Sequence, residues 1–416
     1  MKKKVFFKTF GCRTNVYDSQ VMMSSLKEYE ITQDENEADA IVINSCTVTN
    51  GADTHVRSYI SQVEKHNSQA KIFLTGCGAH TKGKSLLKDG RVHGVFGQSE
   101  KQKIDFMLSQ DKPFYDAGDL NFVDDTIVDD FVGKSRAFVK IQEGCNFRCS
   151  YCIIPFVRGN ARSMSEAKIL EQITKLARNG FGEFILTGTN VGSYGVDTKT
   201  SLASLMKKMS MIRGVRRIRL GSIEPIQITD EFKEILSESW VEKHLHIALQ
   251  HTSEKMLKLM NRRNVYKQDR ELFEFLSQKG FAIGTDFITG HPGESEEIWD
   301  EAMANAKELP LTHIHSFTYS KRDATPSAYM KPEVNGSIAK QRLHELNTLI
   351  KEKNLEFRKN FNDKLQVLVE SQKDGFYHGL DQHFNKVIIK SDEDLVGNWV
   401  NIDNYEIKED HNYANI

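Results

Sequence analysis

Short runs of β-branched and aromatic residues alternate with stretches of helical spacing along most of the chain. Lys4 to Thr9 is the first run, and Val16 to Glu28 then places Val21, Met22 and Leu26 on one helical face. Ala38 to Asn44 and Lys71 to Thr75 are further strand candidates, with a helix predicted around Val56 to Val63 between them. The alternation resumes near Ser135. Strands are predicted at Ala137 to Gln142, Glu183 to Leu186, Arg216 to Leu220, Leu245 to Leu249, Ala282 to Ile288 and His313 to Tyr319. Helices are predicted at Ser165 to Asn179, Leu202 to Ile212, Asp230 to Ser237, Glu254 to Met260 with Lys267 to Lys279, and Glu296 to Leu309. Six such repeats suit parallel strands wrapped by helices, a partial (β/α) barrel whose strand ends face one open mouth. After a long helix-like stretch from Ile338 to Phe357, β-formers return at Val367 to Glu370 and Lys386 to Ile389.

This pattern divides the chain into an N-terminal α/β domain over 1–115, a linker over 116–134, a barrel over 135–360 and a small β domain over 361–416. The linker rests on composition: Asp116, Asp119, Asp124, Asp125, Asp129 and Asp130 fall in a stretch with little periodicity, which reads as a surface excursion. A length of 416 residues allows two to three domains, and 27% charged with 39% hydrophobic residues is ordinary for a soluble globular protein. The net charge of −1 leaves nucleic-acid binding to local clusters, for which Arg213, Arg216, Arg217, Arg219 and the pair Arg262-Arg263 are the candidates. The start Met1-Lys2-Lys3-Lys4 could pass for a signal-peptide flank, but Lys8 breaks the apolar run behind it. No apolar segment is long enough to cross a bilayer, so the expectation is a cytoplasmic protein without a membrane partner.

The six cysteines change the picture most. Cys145, Cys149 and Cys152 lie on one glycine-led loop, with three and then two residues between them. Three thiolates so spaced can hold three corners of a four-iron cluster and leave one iron open to a chelating small molecule. A zinc site would need a fourth Cys or His nearby, and the segment has none. Cys12, Cys46 and Cys77 each stand just after a predicted strand. Singly, each reads as a small buried residue; together they fall on the carboxyl edge of a parallel sheet, where ligands collect, and predict a second metal cluster. Other strand-end candidates for binding are Gly188 and Asn190 in a glycine-rich loop, Glu224, suited to a ribose, Gln250 and Asp286.

The Cys-x3-Cys-x2-Cys spacing, with Tyr151 before its last cysteine, resembles the motif of the radical S-adenosylmethionine (radical SAM) enzymes. Further pieces are similar to the methylthiotransferases of that class: Thr9 to Asn15 with Asp18-Ser19, Asn44 to Thr49, Thr75-Gly76-Cys77, the Cys145 loop through Arg158-Gly159, Ser222 to Pro225, Leu249-Gln250-His251, Met260-Asn261-Arg262, and Tyr319-Ser320 with Arg322. The resemblance implies two 4Fe-4S clusters, one at Cys145, Cys149 and Cys152 that cleaves S-adenosylmethionine and one at Cys12, Cys46 and Cys77 that carries sulfur. It also implies an electron donor such as flavodoxin or ferredoxin, and a TRAM-like C-terminal domain that grips RNA. Within the family, Cys46-Thr47-Val48-Thr49 is similar to the branch acting on N6-threonylcarbamoyladenosine at position 37 of the tRNA anticodon loop. Sister branches act on isopentenyladenosine or on a ribosomal-protein aspartate. A non-catalytic iron-sulfur carrier or RNA-binding module is the reading from another class. The chain departs from the family at His291, Thr252 and Ala324, where phenylalanine, glycine and glycine are usual. Acidic residues such as Asp392, Glu393 and Asp394 weaken the case for phosphate binding by the C-terminal segment.

Overall fold

The computed structural model describes residues 2–128, 131, 134–361 and 363–416, so Met1 and the predicted-linker residues Asp129 and Asp130 lie outside the described residues. The N-terminal strands are β1 (Lys3–Thr9), β2 (Tyr29–Ile31), β3 (Ala40–Ser45), β4 (Lys71–Gly76), β5 (Gly94–Phe96) and β6 (Phe114–Asp116). They form one parallel sheet in the order β2-β1-β3-β4-β5-β6. Central β3 is buried at every position because helices cover both faces, which is why it reads as an unbroken apolar run. Val56, Ile60 and Val63 of helix Asn50–His66 pack on one face, and Met22, Ile104 and Met107 on the other.

The barrel strands are β7 (Ala137–Lys140), β8 (Gln142–Glu143), β9 (Arg162–Ser163), β10 (Glu183–Thr187), β11 (Arg217–Leu220), β12 (His244–His246), β13 (Ala282–Thr289) and β14 (His313–Thr318). Two three-stranded parallel sheets, β11-β10-β7 and β12-β13-β14, join through bridges Ile218↔Val241 and Ile223↔Ile247 into a single curved row. The short antiparallel pair β8–β9 brackets the Cys145 loop at both ends. Helix Arg13–Ser25 is shared: Tyr17 and Val21 pack into the barrel core, while Met22 packs under the N-terminal sheet.

A buried charged seam joins these two units. Lys101 Nζ lies 2.7 Å from Asp18 and 2.6 Å from Asp124; Lys140 Nζ lies 2.8 Å from Asp18 and 3.1 Å from Asp124; Arg158 bonds both Asp18 and Glu143. None of these six residues is more than 4% exposed. The stretch 116–134 is therefore not a simple surface excursion: Asp124 is an internal ion-pair partner, and Val128 and Phe131 are buried in the barrel core. Arg322 Nη1 to Asp53 Oδ2 at 2.6 Å and Asn50 N–H to Ser320 Oγ at 2.8 Å tie the same units at the far side.

Helix Gly336–Asn360 leads to a mixed sheet of β15 (Leu365–Lys373), β16 (Phe376–Leu380), β17 (Lys386–Lys390), β18 (Trp399–Ile402), β19 (Glu406–Ile407) and β20 (Asn412–Asn415), ordered β18-β15-β16-β17-β20-β19. This sheet sits under the amino ends of the barrel strands. Arg217 donates to the Gln366 carbonyl (2.8 Å), Arg219 to the Asp381 carbonyl (2.9 Å), and His383 Nε2 lies 3.2 Å from the Gly280 carbonyl. The Phe384 ring stacks on His244 at 4.9 Å inside the lumen. Arg217 and Arg219, candidates for RNA contact from sequence, are instead buried and paired with Glu183. Arg213 and Arg216 do remain exposed.

Candidate functional site

At the carboxyl ends of the barrel strands lies a cavity of about 320 Å³. Cys145, Cys149 and Cys152 line it together with Asn190, Glu224, Gln250 and Asp286, and Val48 and Thr49 of the N-terminal unit close one side. The cysteine loop is held by its backbone: Cys145 N–H donates to Gly159 (3.0 Å) and Ser150 N–H to Met260 (2.9 Å). Asn190 Nδ2 donates to Cys145 Sγ at 3.5 Å, and Arg262 Nη1 to Cys149 Sγ at 3.8 Å. Burial pushes the Cys152 thiol up to about 12, and the neighbouring Cys149 and Cys145 add to the shift. Burial raises the Cys149 thiol as well, and such thiols are poor acids alone that become ligands when a metal cation compensates their charge.

The N-terminal cysteines are also brought together. Cys12 caps helix Arg13–Ser25, Cys46 follows β3 directly, and Cys77 opens the short helix Cys77–Thr81. A Cβ at Gly11 would lie 2.5 Å from Cys46 Cβ, so only glycine lets the Cys12 turn approach that closely. Burial pushes the Cys77 thiol up to about 11; Arg158 opposes the shift and both Cys12 and Cys46 add to it. Arg158 Nε donates to Cys77 Sγ at 3.2 Å, and Ile153 and Val157 pack against that cysteine, so the chain leaving the Cys145 loop touches the second group.

Both trios fit a bulky group better than a single ion. One tetrahedral metal holds thiolates about 2.3 Å away, hence roughly 3.8 Å from each other. Among the described residues the one trio of His, Cys, Asp or Glu donors whose atoms all fall within 4.8 Å is His246, Asp286 and His315, so neither cysteine trio is that compact. Iron-sulfur cubes spread their thiolates further apart.

The other sequence candidates divide. Asn190 lines the cavity, with its backbone N–H on Gln142 and its buried Oδ1 without a hydrogen-bond partner. Gln250 sits at the rim with φ +67°, its N–H on the Asp286 carbonyl. Gly188 contributes no cavity surface; it packs against Gln142, where a Cβ would lie 2.7 Å from the carbonyl oxygen. The Glu224 carboxylate, expected to meet a ribose, is instead held by both terminal nitrogens of Arg262. That pairing also removes Arg262 from the phosphate candidates. In the sequence Arg158 and Thr49 stand only inside the family-like stretches, without a role of their own; for Arg158 the signal is its place beside Gly159 at the loop exit. His291 is buried, bonded to Ser327 Oγ at 2.7 Å and to the Pro292 carbonyl, partners a phenylalanine could not use.

Residues 4–97 match the family described as "Uncharacterized protein family UPF0004", and residues 139–306 match the radical SAM superfamily. A protein of Helicobacter pylori (strain J99), provisionally named a methylthiotransferase, is 54% identical over 99% of each chain. The chain belongs to the radical SAM methylthiotransferase family. The threonylcarbamoyladenosine tRNA methylthiotransferase MtaB of Bacillus subtilis (strain 168) is 34% identical, covering 96% of this chain and 93% of its own. Among solved structures, the radical SAM methyltransferase TsrM of Kitasatospora setae superposes with a TM-score of 0.62 at 14% identity, over 79% of this chain and 77% of its own, a likeness of fold alone. Membership makes this methylthiotransferase an enzyme that uses a 4Fe-4S cluster and S-adenosylmethionine. Among the described residues no helix is long and apolar enough to cross a membrane.

Proposed function

We propose that this enzyme inserts a methylthio group at C2 of N6-threonylcarbamoyladenosine at position 37 of tRNA, with one 4Fe-4S cluster on Cys145, Cys149 and Cys152 and a second on Cys12, Cys46 and Cys77. The observation that carries the proposal is the closeness of the two cysteine groups: Val48 and Thr49, just after Cys46, line the cavity that holds Cys145, Cys149 and Cys152, and Ile153 and Val157, just after that loop, pack against Cys77. The run Cys46-Thr47-Val48-Thr49 and the MtaB relative support the choice of base. A flavodoxin or ferredoxin as electron donor completes the reading.

The C2–H bond of adenine is neither acidic nor next to a leaving group, so acid–base catalysis has little purchase on it. A bound cluster supplies the electron that cleaves S-adenosylmethionine to a carbon radical able to take that hydrogen. This chain's residues prepare the place. Asn190 and Arg262 donate to thiolate sulfurs and offset their charge, Arg158 does the same at Cys77, and the Arg262–Glu224 pair fixes the wall between them. The C-terminal sheet and Phe384 keep the lumen shut from below.

Anaerobically reconstituted protein given tRNA, S-adenosylmethionine and reductant should yield 2-methylthio-N6-threonylcarbamoyladenosine by nucleoside mass spectrometry. It should also carry about eight irons per chain. Methylthiolated isopentenyladenosine instead, or an unchanged nucleoside profile, overturns the choice of substrate; about four irons overturns the second cluster.

A further inference from the structure

Beneath the cavity the barrel lumen is lined by imidazoles. His244 and His246 point inward from β12, and His313 and His315 from β14, on either side of Gly284 in β13. A Cβ on Gly284 would lie 2.8 Å from His246 Nδ1 and 2.9 Å from His244 Nε2, so the missing side chain is what lets the rings close over that strand. The lower pair is sealed by Phe384 stacked on His244. The upper pair faces Asp286, the direct strand partner of His315 and part of the cavity wall.

We propose that His246, Asp286 and His315 bind one divalent transition-metal ion, separate from both cysteine groups. Their donor atoms all lie within 4.8 Å of one another. Ligands at about 2.1 Å from a common ion sit at most roughly 4.2 Å apart, so small side-chain rotations complete the site. His246 Nε2 and His315 Nδ1 converge on a single oxygen, Asp286 Oδ1, at 3.0 and 3.7 Å. His246 is only 9% exposed, and its Nε2 faces the Asp286 oxygen at 3.0 Å outside hydrogen-bond alignment. A buried ring nitrogen left unpaired beside a carboxylate is costly without a proton or a cation between them. Ser222 Oγ donates to the other carboxylate oxygen at 3.1 Å and turns Oδ1 toward the imidazoles, the outer support that ligating carboxylates usually have. Two imidazoles and one carboxylate suit Fe(II) or Mn(II) rather than the soft ions that thiolates select. Three protein donors leave the other positions of a six-coordinate ion to water or to oxygen atoms of whatever occupies the cavity.

Mn²⁺ added to the anaerobically reconstituted holoprotein tests this, because its free six-line EPR signal is read at room temperature and it competes poorly for thiolates. Once a chelator has removed iron held outside the clusters, wild-type protein should withdraw about one Mn²⁺ per chain, His315→Ala and Asp286→Asn should weaken binding more than about 100-fold, and Ser222→Ala about 10-fold, all with unchanged cluster iron. No withdrawal by the wild type overturns the site, as does wild-type affinity in either His315→Ala or Asp286→Asn. His315 is exposed, so its replacement spares the core. Should that variant still lose iron, unchanged Mn²⁺ affinity in Ser222→Ala overturns the proposal on its own. No tRNA enters the measurement, so its failure leaves the methylthiolation reading untouched.

Discussion

Cys145, Cys149 and Cys152 reach the cavity from one loop, whereas Cys12, Cys46 and Cys77 are gathered from the ends of β1, β3 and β4 outside its lining and depend on the register of a whole sheet. The first trio is a local device, supported by Asn190 and Arg262 at the cavity wall. The second is a global one, supported by Arg158, whose guanidinium also bonds Asp18, Glu143 and Asn15. The difference teaches that the two sites should fail differently. Damage to the loop should cost chemistry and spare the fold, and damage behind Cys77 should cost both.

The sharpest separation comes from the cysteines proposed as ligands. Cys149→Ala should abolish both 5′-deoxyadenosine formation and methylthiolation, while Cys46→Ala should lose methylthiolation and keep S-adenosylmethionine cleavage. Each loss should exceed about 1000-fold, read by product chromatography. Loss of cleavage in Cys46→Ala would break the division into two functions.

Next come the supporting arginines. Arg158→Ala takes one buried cation from both Asp18 and Glu143, leaving them to Lys101, Lys140 and Arg162, and should cost about 3 kcal/mol, seen as a lower thermal midpoint. Arg262→Ala leaves Glu224, whose side chain is 17% exposed, and should cost about 1–2 kcal/mol. Equal destabilisation by the two would erase the local–global contrast.

The seam should also set the acid limit of stability. Burial alone would raise the carboxyls of Asp18, Asp124 and Glu143, but Lys101, Lys140 and Arg158 outweigh it and hold all three below the usual carboxylate range. Such groups stabilise the fold above their unfolded values near pH 4, and that contribution is lost as pH falls further. Asp269 runs the other way: burial raises it to about 6, so its contribution is present in acid and fades as pH rises through about 6. As pH falls from 5 to 3, unfolding midpoints should therefore drop steeply in the wild type and less steeply in Asp18→Asn, measured against its own lower plateau. The smallest effect belongs to Asn190→Ala, which should slow S-adenosylmethionine cleavage about 10-fold without moving the thermal midpoint.

In the sequence the first trio stands out because its cysteines are neighbours in the chain, and the second because each cysteine follows a predicted strand. The long strands and helices announced themselves by period. β2, β5 and β6 did not, since three residues carry no period. The functions of charged residues were the least legible part. Asp124 looked like solvated linker, Arg217 and Arg219 like phosphate contacts, and Glu224 like a free acceptor. Each is occupied by a partner from 16 or more positions away: Lys140 lies 16 from Asp124, Glu183 lies 34 and 36 from the arginines, and Arg262 lies 38 from Glu224. Composition cannot show such pairs, and only the fold decides them. Histidines 246 and 315 escaped attention for the same reason, being 69 positions apart by their numbering yet stacked at 4.6 Å.

The sheet fastened beneath the barrel makes the lumen a cup rather than a pipe. Traffic in and out of a cup shares one doorway, here the rim where Val48 and Thr49 meet the Cys145 loop. Spent small molecules can then be replaced only while nothing large is parked across that doorway, which ties the order of arrivals and departures to the shape of the floor.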